Sequence, residues 1–264
     1  MFHIDITSPN KELWKFLKRF ILRYNVVIVS SEKYKREDLP VEQKVMPPAI
    51  DPFSPKNMEI SDRTISKYLR KFGIPIDKPL ITQISRFDKW KDPMGIIDAF
   101  KLVRKMADCR LVLCGNMATD DPEGWMTCER VRRKAKRLIE KGDVLMITNA
   151  NNILVNALQR SSAVVVQKSI REGFGLTVTE ALWKERPVVA SNVGGIPLQI
   201  KDGENGFLID SHDTEGFADR IIKLLNDPTL AQKIGVKGKE SVMKKFLITR
   251  LLLDYLNLLN EIGQ

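Results

Sequence analysis

The sequence predicts an α/β protein built on a doubly wound, mostly parallel sheet, preceded by a small piece of a second body. Three observations predict it. From about residue 44 onward, short apolar runs alternate with helical stretches, as βα units do. The runs are apolar without polar alternation, as in strands buried on both faces. Turns rich in glycine or charge follow several runs, at the strand ends where open sheets of this kind bind ligands.

The elements follow in order. His3–Ile6 resembles a strand end. Ser8 caps a helix opened by Pro9, with Leu13, Leu17, Phe20 and Tyr24 on one face, and Val26–Ser30 reads as a strand. One β-α-β unit is too small to be a domain, so residues 1–43 read as the remnant of a larger one. Met46–Pro55, with four prolines, is a stiff connection. The strand candidates of the main body are Val45–Met46, Leu80–Ile84, Arg110–Cys114, Val144–Thr148, Ala163–Gln167, Pro187–Ala190 and Phe207–Ile209. Asp92 caps a helix with Pro93 at its first position and Ile96, Phe100 and Val103 on one face. Further helices are expected over about 122–141, 153–161, 176–185 and 214–226. The last 35 residues give two more, the second carrying Leu251, Tyr255, Leu258 and Leu259 at helical spacing. The expected division is 1–43, 44–240, and a helical end 241–264 that packs back toward the N-terminal part.

The 264 residues are 43% hydrophobic and 29% charged, which excludes collagen-like and wholly disordered chains. No apolar run approaches the roughly 18 residues of a membrane span. The first ten residues have neither the basic nor the apolar region of a signal peptide, so a cytoplasmic location is expected and no membrane partner. Cys109, Cys114 and Cys128 lack the spacing of a zinc or redox site and read as reduced structural thiols. A net charge of +10 favours anionic partners. Much of the excess sits in Lys15–Arg23 and Arg130–Arg137, which read as solvated helix faces. Aromatic interleaving is missing, so no nucleic-acid partner is expected.

The strongest chemical signal is Arg171–Trp183, REGFGLTVTEALW. Glu172 ends a buried strand; Gly173 and Gly175, separated by Phe174, allow a close backbone approach to a ligand. A helix opens near Leu176, and its N-terminus suits a phosphate. Glu180 lies about 6 Å up that helix at a rise of about 1.5 Å per residue. Two carboxylates beside a phosphate site make sense if each accepts hydrogen bonds from flanking hydroxyls, as a ribose and a sugar would supply. The plainer alternative makes Glu180 a surface residue and Glu172 a helix cap. Ser85–Pro93, SRFDKWKDP, follows another strand; Arg86 and Lys91 could neutralise a diphosphate there, or be two solvated cations. Val193–Pro197, VGGIP, offers Gly194 and Gly195 for a tight turn or a close approach. Thr148–Asn149 could meet a base with backbone groups. Asp120–Trp125 is a closing loop or a helix start. His212 reads as solvated, and His3 as either a ligand-facing or a disordered terminal histidine. No Ser-His-Asp order, P-loop or zinc motif competes, and Gly173–Gly175 is not the nicotinamide fingerprint G-x-G-x-x-G.

Glu172–Glu180, with Arg86, Lys91 and Val193–Pro197, resembles the nucleotide-sugar half of the retaining GT-B glycosyltransferases of family four, over about residues 44–264. HIDITSPN, VMPPAIDPFSPKN, DDPEGW and SIREGFGLTVTEALWK look more narrowly like the trehalose synthase branch of that family. The resemblance implies a Rossmann-like C-terminal half of a GT-B fold. It implies transfer of glucose, with retention, from a nucleotide-glucose donor to an acceptor such as glucose. By the same resemblance Glu172, Arg86, Lys91 and His3 serve the reaction. Gly173, Phe174, Gly175, Leu176, Thr177, Glu180, Asn149, Gly194 and Gly195 hold the donor sugar and nucleotide. No cofactor or metal is implied, because Arg and Lys neutralise the leaving diphosphate. Most of an acceptor domain is missing, so the chain alone is expected to bind donor weakly and transfer poorly, with an acceptor-domain chain or a second copy as possible partner. A non-catalytic nucleotide- or partner-binding remnant is the other reading, and an anion binder driven by charge the third.

Overall fold

The computed structural model describes residues 5–116 and 122–263. Among the described residues eight strands run β1 Val26–Val29, β2 Glu42–Val45, β3 Leu80–Ile84, β4 Arg110–Cys114, β5 Val144–Ile147, β6 Ser162–Gln167, β7 Val188–Ser191 and β8 Phe207–Ile209. The helices are α1 Lys11–Ile21, α2 Asp62–Lys71, α3 Pro93–Met106, α4 Pro122–Glu140, α5 Asn152–Ser161, α6 Leu176–Trp183, α7 Thr214–Asn226, α8 Pro228–Lys245 and α9 Ile248–Ile262.

The last six strands form one sheet in the order β5-β4-β3-β6-β7-β8, all parallel. Counted from β3 this is 3-2-1-4-5-6, the doubly wound order that reverses direction between its two central strands. Successive residues pack to opposite sides. Ile81, Leu111, Leu113, Val164 and Val166 join α3, α4 and α7 on one face. Leu80, Ile84, Val112 and Cys114 meet α2 and α5 on the other, and Val165, Val188 and Ala190 meet α6 and α8. This two-sided burial is why the strands read as continuous apolar runs. All three cysteines are free and buried. Burial pushes the thiols of Cys109 and Cys114 up to about 11 and about 12, keeping them protonated and inert.

A separate two-stranded parallel sheet pairs β1 with β2, from Val26 opposite Glu42 to Val29 opposite Val45. Its core is Ile6, Trp14, Ile21, Val27, Val29, Tyr34 and Leu39.

The structure corrects several expectations. Val45 belongs to this small sheet and not to the large one, and the Met46 N–H continues the ladder to Val29 O at 2.9 Å. The division expected at 43/44 therefore falls inside β2, and the one at 240/241 inside the unbroken α8. The cap of α1 is Asn10, whose Oδ1 accepts from the Glu12 and Leu13 N–H groups at 3.1 and 3.0 Å. Ser8 lies too far upstream to reach those donors. The buried face of α1 is Trp14, Leu17 and Ile21, while Leu13, Phe20 and Tyr24 stand exposed. α2 was not anticipated, although Ser61 Oγ caps it by accepting from the Thr64 N–H. In α9, Leu258 is buried and Leu259 exposed.

α9 runs beside the early chain. The Ile50 N–H donates to Phe246 O and the Ile248 N–H to Ile50 O. The Arg250 guanidinium reaches Pro47 O at 2.6 Å, and Lys44 pairs with Glu261 at 2.7 Å. Among the described residues no helix is long and apolar enough to cross a membrane.

Candidate active site

β3 and β6 are neighbours, and the chain leaves them toward opposite edges of the sheet. A crevice therefore opens above their C-terminal ends. One wall is the loop after β3, Ser85–Asp92. Asp88 Oδ1 accepts from the Trp90 and Lys91 N–H groups and folds the loop into a short turn. Asp92 ends it in the left-handed region, φ 40°, and caps α3 by accepting from the Gly95 N–H at 2.9 Å. The other wall is the loop after β6, Lys168–Gly175.

Gln83 ties the walls together from inside β3. Its Nε2 donates to Lys91 O at 2.8 Å and its Oε1 accepts from the Lys168 N–H at 3.2 Å. Below them Lys168, buried, donates to Asp92 Oδ2 and to Ser211 O. A buried ammonium would be costly alone; paired with Asp92 it joins β6 to the cap of α3.

Glu172 stands at the centre. Its Oε2 accepts from Lys91 Nζ at 2.6 Å, from Gln167 Nε2 at 3.3 Å and from Ser169 Oγ at 3.4 Å. Its Oε1 accepts from the Gly173 N–H at 3.1 Å. A cavity of about 350 Å³ is lined by Asp5, Arg86, Asp88, Trp90, Lys91, Arg171, Glu172 and Gly173. Arg86 is exposed there, with Asp88 Oδ2 at 3.3 Å. A second hollow, about 390 Å³, lies against Pro48, Ala49, Glu172, Phe174, Gly175, Leu176 and Leu251. Glu172 faces both.

Gly175 takes φ 86°, which L side chains rarely adopt, and starts α6 with no side-chain cap. The Val178 N–H bonds back to Gly175 O at 2.9 Å, which leaves the Leu176 and Thr177 N–H groups for a ligand, at the hollow's edge. The Phe174 side chain is buried against Phe246, ring centroids 5.6 Å apart, so only its backbone belongs to the site.

Arg86, Lys91, Glu172, Gly173, Phe174, Gly175 and Leu176 are therefore brought together. Others are not. Glu180 lines neither hollow: it is buried with Lys56 Nζ at 3.4 Å, and burial raises its carboxyl above the usual range. Thr177 lines neither hollow and offers only its first-turn N–H, its carbonyl accepting from Gln159 Nε2. Asn149 is exposed at the end of β5 and bridges to Asn116. Gly194 and Gly195 pack beneath the Glu172 loop, the Gly195 N–H donating to Gly173 O at 3.0 Å. His212 is exposed. His3, Asp120 and Asp121 lie outside the described residues, and the rest of Asp120–Trp125 is the start of α4, held to the β3 loop by Glu123 and Lys89 at 2.9 Å. Among the described residues no group of three His, Cys, Asp or Glu side chains is placed to hold a metal.

Sequence reasoning missed Gln83, Lys168, Asp5 and Tyr34. The Arg171 guanidinium donates to Asp5 Oδ2 at 2.7 Å and lies 5.7 Å from the Trp90 ring centroid. The Tyr34 hydroxyl reaches the Glu172 and Gly173 carbonyls. Each contact joins residues far apart in sequence, and only Gln83, a polar residue amid an apolar run, carried a local signal.

A doubly wound sheet with cations, a carboxylate and an open helix N-terminus at its switch point has the features by which such sheets bind phosphorylated small molecules. Residues 64–241 match the family described as glycosyl transferases group 1, and the chain belongs to that family. It is 47% identical over 264 residues to trehalose synthase of Thermococcus litoralis and 44% identical over 261 residues to that of Rubrobacter xylanophilus. These alignments take in 98% and 97% of this chain but only 63% and 61% of those proteins. The fold is that of GT-B glycosyltransferase structures. Anabaena Alr3699/HepE in complex with UDP and glucose superposes at TM-score 0.82 with 21% identity, over 98% of this chain and 70% of that one. Sucrose-phosphate synthase from Thermosynechococcus elongatus superposes at 0.81 with 22% identity, over 98% and 64%.

Proposed function

We propose that the chain carries the donor site of a retaining glucosyltransferase of the trehalose synthase type. It would take glucose from a nucleotide-glucose to a sugar acceptor such as glucose. The observation that carries this is the Lys91–Glu172 pair, flanked by Arg86 and the open N-terminus of α6, at the switch point of the sheet. The names of the relatives point the same way, as do neighbours solved with UDP or UDP-glucose.

In this reading the diphosphate lies along Arg86, Lys91 and the N–H groups of Gly175, Leu176 and Thr177. Lys91 turns from Glu172 to the phosphate, and the freed Glu172 carboxylate accepts from donor-sugar hydroxyls with the Gly173–Phe174 backbone. Glu180 takes the ribose once Lys56 yields, and the Asn149 region lies toward the base. Gly194 and Gly195 shape the loop from below. The bond from the anomeric carbon to the phosphate oxygen breaks, and one to the acceptor oxygen forms on the same face. The acceptor proton passes to the departing phosphate. The two cations stabilise the charge that develops on the leaving diphosphate, so no metal is needed. A partner chain bearing the acceptor site, or a second copy, would complete the cleft.

Calorimetric titration with ADP-, UDP- and GDP-glucose tests the donor site. One of them should bind, and Glu172→Ala and Lys91→Ala should each weaken it at least tenfold without altering the circular dichroism. Absence of binding by all three sinks the reading.

A further inference from the structure

Three consecutive carbonyls of the donor loop are held from behind, by Tyr34, Gly195 and Gln199. Glu172 O and Gly173 O both face the Tyr34 hydroxyl, at 2.9 and 2.6 Å. Gly173 O also accepts from the Gly195 N–H, and Phe174 O from Gln199 Nε2 at 2.6 Å. A trans peptide points its N–H opposite to its carbonyl. Holding these carbonyls therefore aims the N–H groups of Gly173, Phe174 and Gly175 away from Tyr34 and Gln199. The Gly173 N–H meets the Glu172 carboxylate.

Of these anchors only Tyr34 comes from the two-stranded body. It is 1% exposed, packed with Trp14, Ile21, Val27, Val29 and Leu39. We propose that Tyr34 is a positioning residue for the donor loop, its single hydroxyl proton shared between two carbonyls so that Glu172 and the following N–H groups stand where a bound sugar needs them. The proposal rests on the reading of the cleft as a nucleotide-sugar site.

Gly194 supplies an independent sign. It takes φ 57°, and a Cβ there would lie 1.8 Å from Glu172 O and 2.9 Å from the Tyr34 hydroxyl oxygen. The only residue that leaves this hydrogen bond room is glycine. Burial, helped by the nearby Asp5 and Glu172 carboxylates, raises the phenol above its ordinary range, so the hydroxyl keeps its proton. A second tie from the same body, Asp5 to Arg171, grips the residue before Glu172.

The test compares two affinities in one chain. Tyr34→Phe, titrated with ADP-, UDP- and GDP-glucose and with the matching diphosphates, should weaken the nucleotide-glucose about five- to tenfold, the size of a lost hydrogen bond. It should leave the bare diphosphate unchanged. Leu39→Ala, from the same core but without contact to the loop, is the structural comparison: it should lower the melting temperature and leave the ratio of the two affinities alone. If Tyr34→Phe gives no folded chain, Gly194→Ala attacks the same hydrogen bond and should shift the ratio likewise. A folded Tyr34→Phe, or Gly194→Ala in its place, that leaves the ratio unchanged overturns the proposal, as does an equal shift in Leu39→Ala. If the unaltered chain binds no nucleotide-glucose, the functional reading falls and this inference with it.

Discussion

The two sheets of this chain are covered differently. Every strand of the six-stranded sheet has helices above and below, and residues such as Phe100 and Phe217 are fully buried there. The two-stranded sheet is small, and α1 beside it buries only part of its apolar face: Trp14 and Ile21 inward, with Leu13, Phe16 and Phe20 exposed. In the large body an apolar run identifies a strand without ambiguity of face. In the small body the same kind of run leaves the inward face undecided, because the apolar arc of α1 is wide and only part of it, Trp14, Leu17 and Ile21, packs inward. The small body nevertheless reaches the site, through Asp5 and Tyr34. A region can be thinly covered and still fix where a loop in another region lies.

The difference can be broken by experiment. The largest effect is expected in the covered body: Phe217→Ala should cost about 3–5 kcal/mol in urea unfolding. Equality with an outward α1 residue would end the contrast. Gly194→Ala, where the two bodies meet, should cost about 1–3 kcal/mol through the left-handed backbone and the clash with Glu172 O. A smaller, pH-dependent effect comes from Lys184, buried in the large body and donating to Asn57 Oδ1, Gln159 Oε1 and Glu180 O. Burial pulls it down to about 7, against an ordinary 10.5. Between those values the unfolded chain holds the proton that the folded chain has released, so stability should rise with pH from about 7 to 10.5. Glu180 acts oppositely: burial raises its carboxyl, so stability should fall as pH climbs past its ordinary 4.5. Unfolding curves collected from pH 4 to 10 would show both slopes; Glu180→Gln should abolish the acidic one and, by removing the charge that favours the Lys184 ammonium, start the alkaline one at lower pH. The smallest effect is on the outward face of α1: Leu13→Ser should change stability by less than about 0.5 kcal/mol. A loss above about 1 kcal/mol would show that this face is covered in solution, for instance by a second copy.

Part of the candidate site is legible in local residues. Arg86, Lys91, Glu172, Gly173 and Gly175 sit at strand ends, and a strand end is recognisable from a short apolar run followed by a turn. The cap of α3 by Asp92 and Pro93 was legible for the same reason. The cap of α1 was misplaced because Ser8 and Asn10 are both good caps, and only the carboxamide's reach to the Glu12 and Leu13 N–H groups chooses. Glu180 was expected at the rim; the helix spacing was right, but its rotation into Lys56 was decided by packing on α5 and the Asn57 segment. Tyr34 was invisible, since nothing within its own neighbourhood differs from any buried tyrosine.

By itself, then, the chain determined its βα alternation, its two-sided strands and the glycine turn at Gly173–Gly175, all effects acting over a few residues. Only the tertiary structure decided the strand order, the meeting of Lys91 with Glu172 across 81 positions, and that of Tyr34 with Gly173 across 139. The physical reason is range: backbone geometry and hydrophobic periodicity act along the sequence, whereas a hydrogen bond of 2.6 Å between distant loops exists only once the sheet has set both in place.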